Sequence, residues 1–78
     1  MSPEPDKQIL LDIVNKEMPY GKYAGRLICN IPIHYLEWMA GKEAWPNGRM
    51  GILLKTLYEI KLNNLDYILH EIKSWRGN

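Results

Sequence analysis

Apolar residues first recur at helical spacing in Ile9, Leu10, Ile13 and Val14, with Lys7, Asp12 and Lys16 at the positions between and beyond them. The pattern predicts a helix over about residues 4–16, stopped at Met18-Pro19. The segment Ser2 to Asp6 holds two prolines and two acids, both tolerated in a first helical turn, and residues 1–3 are expected to fray. From Met18 to Arg26 the pattern changes. Two glycines and a proline exclude a helix, while Tyr20, Tyr23 and then Leu27-Ile28-Cys29 predict two short strands joined by glycine-permitted turns. Pro32 opens the next helix, in which Ile33, Leu36, Trp38, Met39 and Ala40 precede a Gly41 suited to a C-terminal cap. After a loop from Lys42 to Pro46, Asn47 is placed to cap a longer helix over about residues 48–62. Met50, Leu53, Leu54, Leu57 and Tyr58 form its apolar face, with Ile52 nearly opposite. Asn63-Asn64 breaks this helix and caps the last one, where Leu65, Ile68, Leu69 and Ile72 make a stripe that Trp75 follows. The predicted order is α, β-hairpin, α, α, α, without internal repeats.

Length changes the picture by limiting it. A chain of 78 residues allows one domain, residues 1–78, which buries only about 60–65% of its unfolded surface. Its 46% hydrophobic and 24% charged residues argue against disorder. Ten Lys plus Arg against nine Asp plus Glu leave a net charge of +1, which excludes a histone-like polycation and supplies no global pull toward nucleic acid or membrane. The single cysteine, Cys29, excludes an internal disulfide framework and a cysteine-based zinc cluster. No purely apolar run exceeds three residues, so no segment spans a bilayer, and the acidic start is unlike a signal peptide. The expectation is a soluble cytoplasmic domain.

Charge is uneven along the chain. Residues 1–17 carry net −2, residues 62–78 carry zero, and residues 18–61 carry net +3 through Lys22, Arg26, Lys42, Arg49, Lys55 and Lys61 against three acids. The basic middle holds the predicted hairpin, a combination with which winged domains touch DNA phosphates. Arg49 and Lys55 lie about 120° apart on an ideal helix and make no single stripe. Gly21 and Gly25, flanked by Lys22 and Arg26, could approach an anion, although the spacing is neither a Walker A loop nor a dinucleotide fingerprint. The plainer role of both glycines is positive φ in turns, with the tyrosines packed on helices.

Other chemistry is weaker. His34 with Glu37, and Asp66 with His70, have spacings that place two metal ligands on one helix face, but neither pair reaches three ligands. A Cys29–His34 nucleophile dyad lacks an orienting acid and an oxyanion hole in sequence, and a small buried hydrophobe is the usual role of a free cysteine. With five Tyr, three Trp and no Phe, the aromatic rings must supply much of the core. Trp38 is assigned there, whereas Trp45, in a Pro-containing loop, is the aromatic expected to meet a partner.

The blocks Met18-Pro19-Tyr20-Gly21-Lys22-Tyr23-Ala24-Gly25-Arg26, Ile31-Pro32, Tyr35-Leu36-Glu37-Trp38, Gly48-Arg49-Met50-Gly51 and Glu59-Ile60-Lys61-Leu62-Asn63-Asn64-Leu65 together resemble a small bacterial family. It is the quorum-sensing-regulated virulence factor family, whose label describes regulation rather than chemistry. The first block also resembles the small C-terminal domain of exodeoxyribonuclease X-like proteins. The resemblance covers roughly Glu17 to Leu69 and is specific in the order of its blocks. It implies a winged-helix-like α+β fold in circularly permuted order and a nucleic-acid-related role, and it carries over no catalytic residues. Tyr20 stands where phenylalanine is common and Asn64 where glycine is common. The chain stops soon after the last helix, so an extension used by longer members is expected to be missing.

The combined expectation is a small winged-helix-like α+β domain of four helices and a two-stranded hairpin. It is expected to act as a non-enzymatic nucleic-acid-binding or regulatory module, without catalytic residues, metal, cofactor or membrane. Its hairpin motif is Met18, Pro19, Tyr20, Gly21, Lys22, Tyr23 and Gly25. Lys22 and Arg26 would contact DNA or RNA phosphates, with Arg49 and Lys55 as further candidates. The alternative is a protein–protein interaction module or homodimer anchored by Trp45 or Trp75. An enzyme or metal protein ranks third.

Overall fold

Four segments with helical periodicity become four helices: α1 (Lys7–Asn15), α2 (Ile33–Lys42), α3 (Arg49–Leu62) and α4 (Asp66–Arg76). The computed structural model describes residues 7–76, the last two by backbone alone. The fraying expected of residues 1–3, the expected proline-containing helix start and the expected Trp75 anchor therefore lie outside what is described. Between α1 and α2 runs a connector that ends in a 3₁₀ turn, Ile28–Asn30. α1 packs against both α3 and α4, α2 packs against α3, and the 3₁₀ turn touches α1 and α3. No described helix is long and apolar enough to cross a membrane.

The expected β-hairpin does not form. The described residues contain no strand, only one isolated antiparallel bridge between Glu17 and Leu27. The domain is therefore all-helical rather than α+β, and with no hairpin it has no wing. The reason lies in competition for backbone donors. At the base of the connector, Met18 N–H donates to Arg26 C=O at 2.8 Å and Ile28 N–H to Lys16 C=O at 3.0 Å. Beyond the base, Ala24 N–H turns back to Gly21 C=O at 3.2 Å and Arg26 N–H to Tyr23 C=O at 3.0 Å. These short-range bonds curl the chain into consecutive turns, so facing strands never extend. Gly21 and Gly25 do take positive φ, at 82° and 85°, as the turn reading required.

Helix ends also moved. Gly41 lies inside α2, and Glu43 adopts the left-handed conformation instead, at φ 51°, while Ala44 N–H reaches Met39 C=O at 2.9 Å. Gly48, not Asn47, occupies the N-cap of α3. Asn63-Asn64 does end α3: Asn63 donates its side-chain amide to Glu59 C=O at 2.8 Å, and Asn64 sits at φ 56°. A left-handed φ at position 64 is one that asparagine tolerates better than most residues.

The core is drawn from every element. Ile13 and Val14 of α1, Met18, Ile28 and Ile31 of the connector, Leu36 of α2, and Leu53, Leu54 and Leu57 of α3 are almost wholly buried. Leu69 and Ile72 close it from α4, as their stripe predicted. Trp38 was assigned to this core and is instead 53% exposed. α2 covers α3 with Leu36 and Met39, which leaves the Trp38 side of the helix facing solvent.

One glycine is set by packing. Gly51 is buried on the first turns of α3, directly beneath Pro46. A Cβ built there would collide with the Pro46 carbonyl oxygen, so the Trp45-Pro46 loop can cross α3 only over a glycine. Gly51→Ala should consequently lower stability by about 1–3 kcal/mol, although alanine is the better helix former. Urea unfolding measures this. An unchanged midpoint would mean that the loop does not lie across the helix.

Candidate functional site

The connector presents its side chains on a closed loop. Met18 holds the loop at its neck, donating to Arg26 C=O and accepting from Gly25 N–H, both at 2.8 Å, while its side chain is buried. Tyr23 then leans from the loop onto α2, meeting Tyr35 edge-on with ring centroids 4.9 Å apart and 78° between planes. Tyr35 in turn stacks on Trp38, one turn along the helix, at 5.9 Å and 25°. The Tyr23 hydroxyl lies 3.4 Å from His34 Nε2.

Cations flank this row of rings. Arg26 places its guanidinium 5.0 Å from the Tyr23 centroid, and Lys22 its ammonium 5.7 Å from the same ring. Each such exposed contact is worth about 0.5–1 kcal/mol, enough to orient the side chain without removing its charge from water. Tyr20, at 51%, and Trp38, at 53%, are exposed large rings on the same two segments. The structure brings Lys22 and Arg26 onto one ring, a contact that the sequence reading did not foresee. His34, Tyr35 and Trp38 lie beside that ring, and the sequence did not single out this grouping because an aromatic pair at i, i+3 reads equally well as core.

The remaining two candidates go elsewhere. Arg49 pairs across the fold with Asp12 of α1, placing Nε at 3.0 Å and Nη2 at 2.9 Å from Oδ2. Gln8 donates to the other oxygen, Oδ1, at 3.0 Å. Asp12 is the buried charged residue of the described core, and this pair ties the start of α3 to α1. Burial acts to raise its carboxyl, but the Gln8 hydrogen bond, the Arg49 hydrogen bond and charge, and the Lys16 charge outweigh it and hold the group below its ordinary value. Lys55 is exposed on α3 and makes no ion pair among the described residues.

His34 and Glu37, and Asp66 and His70, belong to no group of three metal-ligating side chains among the described residues. Buried Cys29 directs its sulfur to Asn30 Oδ1 at 3.8 Å, while the described hydrogen bond of His34 is to Tyr23. Trp45, the expected partner contact, is half-buried against Tyr58 with centroids 5.8 Å apart.

Comparison with known proteins finds the same family as the blocks noted in the sequence and extends the likeness beyond their Glu17–Leu69 span. Residues 6–72 match the family described as "Putative quorum-sensing-regulated virulence factor". "Uncharacterized protein YpeB" of Escherichia coli K12 is 37% identical over 68 residues, which cover 87% of this chain and 94% of that protein. The protein of the same name from Escherichia coli O157:H7 matches to the same degree. No solved structure matches the chain.

The Asp12 pair predicts an acid limb in stability. A carboxyl lowered on folding stabilises the protein fully above the unfolded value, near pH 4, and loses that contribution as pH falls through the folded value. Asp12→Asn should cost about 1–2 kcal/mol at pH 7, a figure held down because the Arg49 side chain is half exposed. The gap between wild type and variant should narrow by pH 3. Thermal melts at the two pH values test this, and a gap that persists undiminished at pH 3 would contradict it.

Proposed function

We propose that this chain, which belongs to the quorum-sensing-regulated virulence factor family, is a nucleic-acid-binding module that takes single strands across the loop of residues 18–26 and the exposed side of α2. The observation that carries this reading is the run Arg26 and Lys22, Tyr23, Tyr35, Trp38, in which two cations lie by the Tyr23 ring, Tyr23 meets Tyr35 edge-on, and Tyr35 stacks on a half-exposed indole. Cations supply phosphate contacts whatever the sequence, and exposed ring faces accept bases, which a duplex keeps stacked inside. Tyr20, on the same loop, offers a further exposed ring.

A net charge of +1 gives little long-range attraction. Binding is therefore local, modest in affinity and steep in salt. The side-chain types present read no base edge in particular, so DNA and RNA strands should both bind, with preference set by stacking. The same exposed Trp38 would suit a protein partner, and the salt response separates the two.

The test is a fluorescence titration with oligo(dT) and oligo(U) over a range of salt. Lys22→Ala/Arg26→Ala should flatten the slope of log affinity against log salt by about 1.4, at ~0.7 per phosphate contact on a single strand. Trp38→Ala should weaken binding by about 1–3 kcal/mol and leave the slope unaltered. Neither change should disturb the helical circular dichroism, since these side chains lie at the surface. Wild-type protein that binds neither strand at low salt would end the reading, and a slope intact in the double variant would remove Lys22 and Arg26 from it.

A further inference from the structure

A concave surface shares none of its lining residues with those rings. A cleft of about 180 Å³ opens between the 3₁₀ turn and the last two helices, lined by Cys29, Asn30, Lys61, Asp66, His70 and Lys73 over a Leu69 floor. Asp66, Leu69, His70 and Lys73 stand at i, i+3, i+4 and i+7, so one face of α4 forms a wall. Lys61 enters from the last turn of α3, where the free carbonyl ends favour a cation.

Two features distinguish this cleft from an ordinary solvated surface. Lys61 and Lys73 are half-buried, and neither ammonium group makes a hydrogen bond or ion pair among the described residues. Like charges drawn to one concavity repel each other unless an anion sits between them. The lining is also rich in donors: two ammonium groups, the Asn30 amide and the His70 ring, against a single carboxylate at Asp66. The volume exceeds the about 150 Å³ that holds a benzene-sized guest, so a phosphate group with a small substituent fits.

We infer that this cleft binds a compact phosphorylated ligand, its phosphate held by Lys61 and Lys73 and a hydroxyl or amine of the ligand donated to Asp66. Asp66 would repel a bare anion, and it accepts from a ligand that carries a donor beside its phosphate. Nucleic acid backbones offer the same phosphate chemistry, so the test must separate the two sources.

Amide shifts of the isotope-labelled full chain, followed by NMR, make the test. The probes are inorganic phosphate, adenosine monophosphate and oligo(dT), with chloride at equal ionic strength as the control. Asn30 and residues 66–73 should shift saturably with phosphate and more strongly with the nucleotide. Lys61→Gln and Lys73→Gln should each weaken binding by about tenfold, as expected on loss of one charge-assisted contact. Lys61→Arg/Lys73→Arg should retain binding, which separates loss of ligand from loss of fold. Lys22→Ala/Arg26→Ala should leave these shifts unchanged, so failure here and failure of the strand-binding reading are distinguishable. The inference is overturned if neither probe gives saturable shifts, or if the same shifts persist in Lys61→Gln/Lys73→Gln. It is likewise overturned if only oligo(dT) moves these amides, since the cleft would then belong to a strand path.

Discussion

Met18 carries more of this molecule than its size suggests. Its backbone closes the loop at both polar atoms, and its side chain is anchored in the core beside α1. Everything proposed for Lys22, Tyr23 and Arg26 depends on that closure. An open connector of this length would pay the entropy of ordering its rings each time a ligand arrived. Closed at the neck and leaned against Tyr35, the loop holds Tyr23 in position before any ligand is present. Two positive-φ glycines make the sharp path possible.

The division of labour among the cations follows from burial. Arg49 looks like Lys22 or Arg26 in sequence, one positive side chain in the basic middle of the chain. A buried carboxylate without a partner costs far more than an exposed cation gains from a distant phosphate, so Asp12 claims Arg49. Among the described residues Lys22 and Arg26 make no ion pair; they lie beside an aromatic ring and stay exposed to water. Lys61 and Lys73 form a third case, lining a cleft whose one acid is Asp66. Three chemical situations thus arise from one residue class.

Much of the helical architecture could be read before any coordinates. Leu65, Ile68, Leu69 and Ile72 announced α4, and Met50, Leu53, Leu54 and Leu57 announced α3, because residues at i, i+3 and i+4 are neighbours on a helix whatever surrounds it. The connector could not be read the same way. Tyr20, Gly21, Tyr23 and Gly25 satisfy the local rules for a hairpin and for a series of turns alike. What decided between them was which carbonyl captured the amides of Ala24 and Arg26. Trp38 failed for a related reason: its ring is apolar enough for a core, but Leu36 and Met39 already fill the contact between α2 and α3.

The sequence by itself determined the number of helices, their approximate ends and most of the buried stripe, since helical periodicity is a property of neighbours along the chain. It also marked residues 18–26 as the unusual segment, through glycines, tyrosines and two cations in nine positions. Tertiary structure alone decided that this segment curls rather than pairs, that Arg49 binds Asp12, and that Tyr35 and Trp38 of α2 extend the surface begun by Tyr23. Each of these is a contact between residues at least nine apart or a choice among competing hydrogen-bond partners. Such outcomes depend on which faces the other helices cover, and no local pattern encodes that.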